Sequence, residues 1–408
     1  MRLKRTLILS AALVLLTFAI ALPVGAQGGR QVWAFYMGFW TGNGWGSSPE
    51  LMDDQPSIGL YDSRDPGVGG LQIDQAKGAG IDAFVVSWFG LEDQAVTTAV
   101  LNNLLDRASE RGFMVGAAVD IFDPNFNNAR DKLINSLNYL VNDRANHPGY
   151  LRYNGKPVIA FAFQNRLNFT TAQWQEIRNA VDPNHNTLWI AEGVSGCCLY
   201  GGAMDGMYAF NIAWSNGSSA RYKTERSRVL KAGGSLYVAS VHPGWNETKV
   251  AAREGRKNPT ATKDRAGGQF LAKSFKGAAA SGTDVIMIGT WNEYVENSHI
   301  EPSTLYGTQA LDTLGPLVAA WKSGGSVSSV PTTGGGQAAP AVSPASGTLE
   351  STTNRLNVRE GPGSNFTSLG RISPGTVYTI TGQAGDWWVI DFGGRSGYVS
   401  AKYVRVTQ

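Results

Sequence analysis

Eight nearly continuous apolar runs recur through the first three quarters of the chain. They are QVWAFYMGFW (31–40), DAFVVSWFG (82–90), FMVGAAVDIF (113–122), PVIAFAF (157–163), TLWIAEGV (187–194), GMYAFNIAW (206–214), SLYVASVHPGW (235–245) and DVIMIGTWNEY (284–294). None alternates cleanly between apolar and polar positions, as a strand with one wet face would. Each suits a strand covered on both faces, the condition of a parallel sheet. Helix-like stretches separate most of them, among them GGLQIDQAKGAG, QAVTTAVLNNLLDRASERG, NARDKLINSLNYLVNDRA, TTAQWQEIRNAV and GGQFLAKSFKGAAASG. Several close on Gly, the residue that best adopts a helix C-cap, and Thr170 offers a good N-cap. Eight strands alternating with helices predict an α/β domain of the (β/α)8 TIM-barrel class. A doubly wound open sheet is the alternative, but no glycine-rich turn follows the first run as a dinucleotide fold requires.

The pattern changes after Trp321. SGGSVSSVPTTGGGQAAPAVSPASGT (323–348) has no charge and no aromatic residue, the composition of a flexible tether. Short β-prone runs broken by PG, GD and GG follow it and predict a small all-β barrel. At the other end, MRLKR, the apolar stretch TLILSAALVLLTFAIAL and the small residues before Gln27 read as a secretory signal. A membrane anchor is the competing reading, and the stretch is short for a full span. The expected organisation is therefore a signal at 1–26, a barrel at 27–322, a linker at 323–348 and a β module at 349–408. Such a chain is secreted, with an association to the cell wall open to it, and carries no membrane segment once the signal is gone.

Export alters the charge balance. Arg2, Lys4 and Arg5 leave with the signal, so 35 basic residues become 32, equal to the 32 acidic ones. A neutral mature chain gives no reason to expect nucleic acid as a partner. The two cysteines, Cys197 and Cys198, are adjacent, so they form no disulfide framework. They are two thiols or a strained vicinal disulfide. Neither they nor the four histidines have metal-ligand spacing, and no metal or other cofactor is expected.

In a TIM barrel the functional residues sit where the strands end. Those ends carry Trp40, Trp88, Asp120 and Asp123, Gln164 and Asn165, Glu192, Trp214, His242 and Trp245, then Asn292, Glu293 and Glu296. Flat aromatic faces stack on sugar rings, and carboxylates perform the acid–base work of glycoside cleavage. Core packing is the other reading of each Trp. A buried, paired structural acid is the other reading of Asp120 and of Glu192. The stretch TWNEYVENSHIEPS (290–303) is the densest in chemistry. It sets Glu293, Glu296 and Glu301 just after an apolar run, where unpaired carboxylates cost desolvation energy.

Two resemblances sharpen these readings. LNVREGPGSNFTSLGRISPGT, with Trp387-Trp388-Val389 and Gly397-Tyr398-Val399, resembles the bacterial SH3 family. That implies a module holding an exported enzyme near cell-wall peptide or another surface polymer. GLYDSRDP (59–66), GIDAFVVSW (80–88), PGWNET (243–248) and TWNEYVENSHIEP together resemble the endo-α-mannosidase and endo-α-mannanase family of glycoside hydrolases. The last stretch is also similar to the fungal α-1,3-glucanases. The resemblance implies a retaining hydrolase of α-linked polysaccharide, α-mannan or α-glucan. Glu293 would be a base acting on the substrate's own 2-hydroxyl, and Glu296 the acid and then the base for water. Trp40, Tyr61, Trp88, Asp120, Glu192, Trp245, Trp291, Asn292 and Glu301 are the candidate substrate-binding residues. The chain departs from the family pattern in two ways. Tyr294 stands where the family has Trp, and Asn297-Ser298-His299-Ile300-Glu301 where it has Gly-Thr-Gln-Ile-Glu. A basic loop (Lys249, Arg253, Arg256, Lys257, Lys263, Arg265) is either a solvated face or a grip for an anionic polysaccharide. A non-catalytic carbohydrate- or wall-binding surface protein is the rival function.

Overall fold

All eight apolar runs become strands of one sheet: β1 (Gln31–Met37), β2 (Ala83–Trp88), β3 (Met114–Asp120), β4 (Lys156–Ala162), β5 (Leu188–Glu192), β6 (Gly206–Tyr208), β7 (Leu236–Val241) and β8 (Val285–Ile288). Each pairs in parallel with its sequence neighbours, and β1 pairs with β8, which closes the barrel. This computed structural model describes residues 29–42, 45, 49–121, 126, 129–194, 197–256, 262–331, 345–359, 361–362, 368–393 and 396–407. The expected signal, most of the linker, Asp123, Lys257 and the Cys197 side chain lie outside them. Cys198 is a half-buried free thiol.

Among the described residues, seven helices of eleven residues or more cover the barrel: α1 (Pro66–Gly78), α2 (Ala99–Arg111), α3 (Arg130–Asn142), α4 (Thr171–Val181), α5 (Ser219–Lys231), α6 (Gln269–Ala279) and α7 (Gln309–Lys322). Their ends follow local chemistry. The Asp65 carboxylate accepts the Gly67 N–H ahead of Pro66, which has no N–H to leave unsatisfied. Thr170 and Gln173 close a reciprocal capping box.

Alternate residues of each strand serve two separate cores. Trp33, Phe35, Ala83, Val85, Met114, Ala118, Ile190, Val238 and Met287 fill the barrel. Val32, Ala34, Phe84, Val86, Val115, Ala117, Trp189, Ala239 and Ile286 face the helices. This parity decides what each strand end presents. Asp120 shares the inward parity of Ala118, and Glu192 that of Ile190. Trp88 shares the outward parity of Phe84 and Val86.

Two expectations change. The sixth run extends to Trp214, but β6 ends at Tyr208, so Trp214 sits in a loop and is 57% exposed. The linker was expected to start at Ser323. Val327 and Val330 instead pack against the barrel's outer core, and Lys276 Nζ donates to the Val330 carbonyl at 2.7 Å. After the linker, β9 (Thr348–Ser351), β10 (Leu356–Arg359), β11 (Ser368–Ile372), β12 (Val377–Ala384), β13 (Trp387–Asp391), β14 (Ser396–Ser400) and β15 (Val404–Thr407) form one antiparallel sheet. Its core is Leu349, Val358, Ile372, Ile380, Ile390 and Val399. This is the small all-β module the turn signals predict. No helix among the described residues is long and apolar enough to cross a membrane.

Candidate active site

The loop after β8 is fastened to the barrel through Asn292. Its Oδ1 accepts the Met37 N–H at 2.7 Å, and its Nδ2 donates to the Met37 carbonyl at 3.1 Å. The Nδ2 also donates to the Tyr61 hydroxyl at 3.0 Å, and Trp40 Nε1 donates to the Asn292 carbonyl at 2.8 Å. Trp40 stacks on Trp45 with ring centres 4.2 Å apart. Behind this lies Glu301, fully enclosed. Its Oε1 accepts from Gln72 Nε2 at 2.6 Å, and its Oε2 from the Tyr61 and Tyr294 hydroxyls at 3.0 Å each. Trp40, Tyr61, Asn292 and Glu301 thus form a hydrogen-bonded post that fixes the acidic loop to β1. Sequence reasoning missed Trp45 and Gln72, which complete it.

Glu293 is buried, and Glu296 is half-buried. The Glu293 N–H donates to Thr290 Oγ1 at 2.8 Å, and its Oε1 accepts the Val295 N–H at 3.2 Å. Glu296 Oε2 is out of contact with solvent and has no hydrogen-bond partner among the described residues. Burial pushes the Glu293 carboxyl up; the Val295 N–H opposes this and the charge of Asp120 adds to it. Burial pushes Glu296 well up, reinforced by the charges of Glu293, Glu247 and Asp120 and opposed by Arg256. The backbone donor favours the ionised form of Glu293. Glu296 faces that charge with no described donor on its buried Oε2, so it is the member of the pair that keeps its proton. Two carboxyls set apart in this way can act as base and acid.

Asp120 and Glu192 join them at the mouth. Asp120 Oδ2 accepts from Ser87 Oγ at 2.7 Å. Glu192 Oε2 accepts the Phe163 N–H at 2.9 Å, from a residue held at a left-handed φ of 54°. Burial raises Glu192, the Phe163 N–H opposes this, and the Asp120 charge raises it further. Trp245 stands edge-on to Phe210 at the rim, its backbone paired with Lys263.

Trp88 and Trp291 belong elsewhere. Both lie in the outer core. Trp88 donates Nε1 to Thr98 Oγ1 and stacks on Tyr139. Trp291 packs against Phe84 at 5.1 Å. Outward strand parity places the first there, and neither presents a face to a sugar. His242 is also structural. Burial lowers it to about 4, and its Nε2–H donates to the Phe210 carbonyl.

Half of the basic loop's cations are paired with carboxylates. Lys249 pairs with Asp53 at 2.6 Å, Arg253 with Glu50 at 3.6 Å, and Arg256 with Glu247 at 3.0 Å and Glu254 at 2.6 Å. Three of the six cations are therefore unavailable as a grip. Lys257 lies outside the described residues, and Lys263 and Arg265 are in no described ion pair.

The departures from the family pattern have a local logic. Asn297 sits at φ 50°, where Gly is favoured and Asn is among the best replacements. Tyr294 and His299 stack on each other at 4.1 Å, so the two altered side chains fill one space together. Burial and Arg265 hold His299 down to about 4. The neutral ring is within hydrogen-bond distance of Asp54 Oδ2, at 3.0 Å.

The sequence profile of glycosyl hydrolase family 99 matches residues 50–315, more than half of the chain, and that of the bacterial SH3 domain matches 354–405. Glycoprotein endo-α-1,2-mannosidase of Xenopus laevis is 26% identical over 265 residues, 60% of this chain and 57% of the relative. Its human endo-α-1,2-mannosidase-like counterpart is 24% identical over 267 residues, 60% of this chain and 56% of the relative. The chain thus spans less than three fifths of the length of either. The solved GH99 endo-α-mannosidase of Bacteroides thetaiotaomicron superposes with a TM-score of 0.60 at 22% identity, covering 71% of this chain and 96% of that one. At that identity the likeness establishes the shared barrel fold.

Proposed function

Because the chain belongs to glycosyl hydrolase family 99, we propose that it is a secreted glycoside hydrolase of α-linked polysaccharide, α-mannan or α-glucan, with its SH3 module as a wall or surface anchor. The Glu293–Glu296 pair carries this reading. These are two carboxyls on one fastened loop, both raised by burial, with a third charge, Asp120, close enough to act on both.

The chemistry proceeds in two steps. Ionised Glu293 takes the proton from the sugar's 2-hydroxyl, and that oxygen attacks the anomeric carbon. The glycosidic bond breaks, and its oxygen takes the proton of Glu296. The product of this step is a 1,2-anhydro sugar, an exception to the usual covalent glycosyl-enzyme. Water then opens it at the anomeric carbon, giving a proton to Glu296, while Glu293 returns its proton to O2. Two inversions at one carbon leave the configuration retained.

The test is product release by the mature chain from α-mannans, α-glucans and acidic polysaccharides, beside Glu293→Gln and Glu296→Gln. Each variant should lose activity on the order of 10²–10⁴-fold while folding normally. The first-formed reducing end, followed by NMR, should be the α anomer. A β anomer would overturn the retaining route. Variants as active as wild type would overturn the assignment of the pair. Saccharide binding with no release from any polymer would replace the hydrolase with a binding protein.

A further inference from the structure

Beside the carboxyl pair, the loop after β7 and the acidic loop enclose a cleft of about 610 Å³. The residues that line it include Trp245, Tyr306, Asn246 and Asn297, and two cations, Lys263 and Arg265. It shares a wall with the candidate acid: the Asn246 N–H donates to the Glu296 carbonyl at 2.7 Å, and Asn297 follows Glu296 in the chain. We propose that this cleft holds an acidic sugar residue of the substrate, a pyranose bearing a carboxylate or phosphate group, next to the point of cleavage. The inference rests on the reading of the barrel as a polysaccharide hydrolase and gives its substrate class.

The two cations differ from their neighbours. Lys249, Arg253 and Arg256 are all paired with carboxylates. No described carboxylate lies within ion-pair distance of Lys263 or Arg265. The Lys263 ammonium rests 5.1 Å from the centre of the Phe270 ring. Arg265 is 7% exposed, and its guanidinium lies 4.0 Å over Tyr306. Its Nη2 donates to the carbonyls of Asn297 at 3.1 Å and His299 at 2.8 Å, while its buried Nε has no acceptor among the described residues. The charge of Asp54 acts on Arg265 from beyond ion-pair distance, while the buried Nε still has a hydrogen to offer an anion. Among the described residues, Asp264 is the one acid lining the cleft. It is exposed and accepts the Ala266 N–H, and against the two cations it leaves one positive charge in excess. Polar side chains beside fixed cations suit a pyranose carrying an oxyanion, because hydrogen bonds hold the ring's hydroxyls and the charge selects the substituent.

The experiment uses the mature chain and two paired substrates. One is an α-linked polysaccharide containing uronic acid, before and after carboxyl reduction. The other is a phosphomannan before and after dephosphorylation. KM and kcat are measured for each, with calorimetric binding to oligosaccharides in parallel. The acidic member of at least one pair should show a KM or Kd at least about tenfold lower, shrinking as NaCl rises from 50 to 500 mM. Lys263→Ala should reduce that preference several-fold, whereas Lys132→Ala, on an exposed face of α3, should keep it. The pair that responds identifies the oxyanion as carboxylate or phosphate. Equal KM and Kd for acidic and neutral members of both pairs, or a preference intact in Lys263→Ala, would overturn the inference and leave the hydrolase reading standing. Acid-dependent binding without cleavage would do the reverse. Binding of neither member of either pair would overturn the inference outright.

Discussion

Glu301 gives the sharpest quantitative test of the post behind the acidic loop. Burial pushes its carboxyl up to about 7 from 4.5, against the pull of hydrogen bonds from Gln72, Tyr294 and Tyr61. An acid raised in the folded state binds more protons there than in the unfolded chain between those two values. Stability therefore falls as pH rises through that window and is level on either side of it. At 1.36 kcal/mol per pH unit, the interval corresponds to about 3 kcal/mol. Glu301→Gln removes the titration and is the nearest neutral stand-in for the protonated acid, since each offers an acceptor carbonyl oxygen beside a donor group, O–H in one and NH2 in the other. Urea midpoints of the two proteins should therefore be similar near pH 4. By pH 8 the variant should have gained about 3 kcal/mol on wild type, with most of the gain between pH 4.5 and 7. A difference that stays flat from pH 4 to 8 would refute the reasoning, as would wild type gaining on the variant with rising pH.

Three other outcomes follow from the same geometry. Trp88→Ala empties a fully enclosed site and should cost about 3–5 kcal/mol by chemical denaturation, with KM unchanged in the protein that remains folded. Trp214→Ala should do the opposite. That ring is exposed, fixed by Nε1 to the Asn211 carbonyl and backed by the Arg221 guanidinium at 4.5 Å. Its loss should raise KM for long polymers and cost at most about 1 kcal/mol of stability. Gly289→Ala would set a methyl 2.4 Å from the His242 ring. It should lower the denaturant midpoint by the equivalent of about 1–3 kcal/mol, and a change under 0.5 kcal/mol would mean the ring yields freely.

The barrel was legible because doubly buried strands write themselves as unbroken apolar runs. That same property hid which aromatic residues face the mouth. A strand that is apolar on both faces gives no contrast between them, so Trp88 and Trp245 look alike in sequence. One signal was present. In AFVVSW the lone polar residue, Ser87, marks the inward face, where it reaches Asp120. That puts Trp88, one residue on, outward. The pairing within the basic loop was illegible for a different reason. Two of its neutralising partners, Glu50 and Asp53, lie about two hundred residues away in the chain, beyond any local reading of charge.

The altered loop separates what cleavage needs from what recognition needs. The departures at Tyr294, Asn297 and His299 leave the geometry that serves the carboxyl pair in place. Asn297 keeps the left-handed turn after Glu296, Ser298 pairs with Thr290, and Thr290 holds the Glu293 N–H. Tyr294 replaces ring with ring and adds a hydroxyl that reaches Glu301. What changes lies on the far side. His299 engages Asp54 and offers its carbonyl to Arg265, which fixes that cation in the wall of the cleft. If the reacting sugar meets the retained half of the loop and its neighbour meets the altered half, the bond cleaved and the substituent recognised can vary independently. The four paired substrates separate the two, because a change in kcat reports on the carboxyl pair and a change in KM on the cleft.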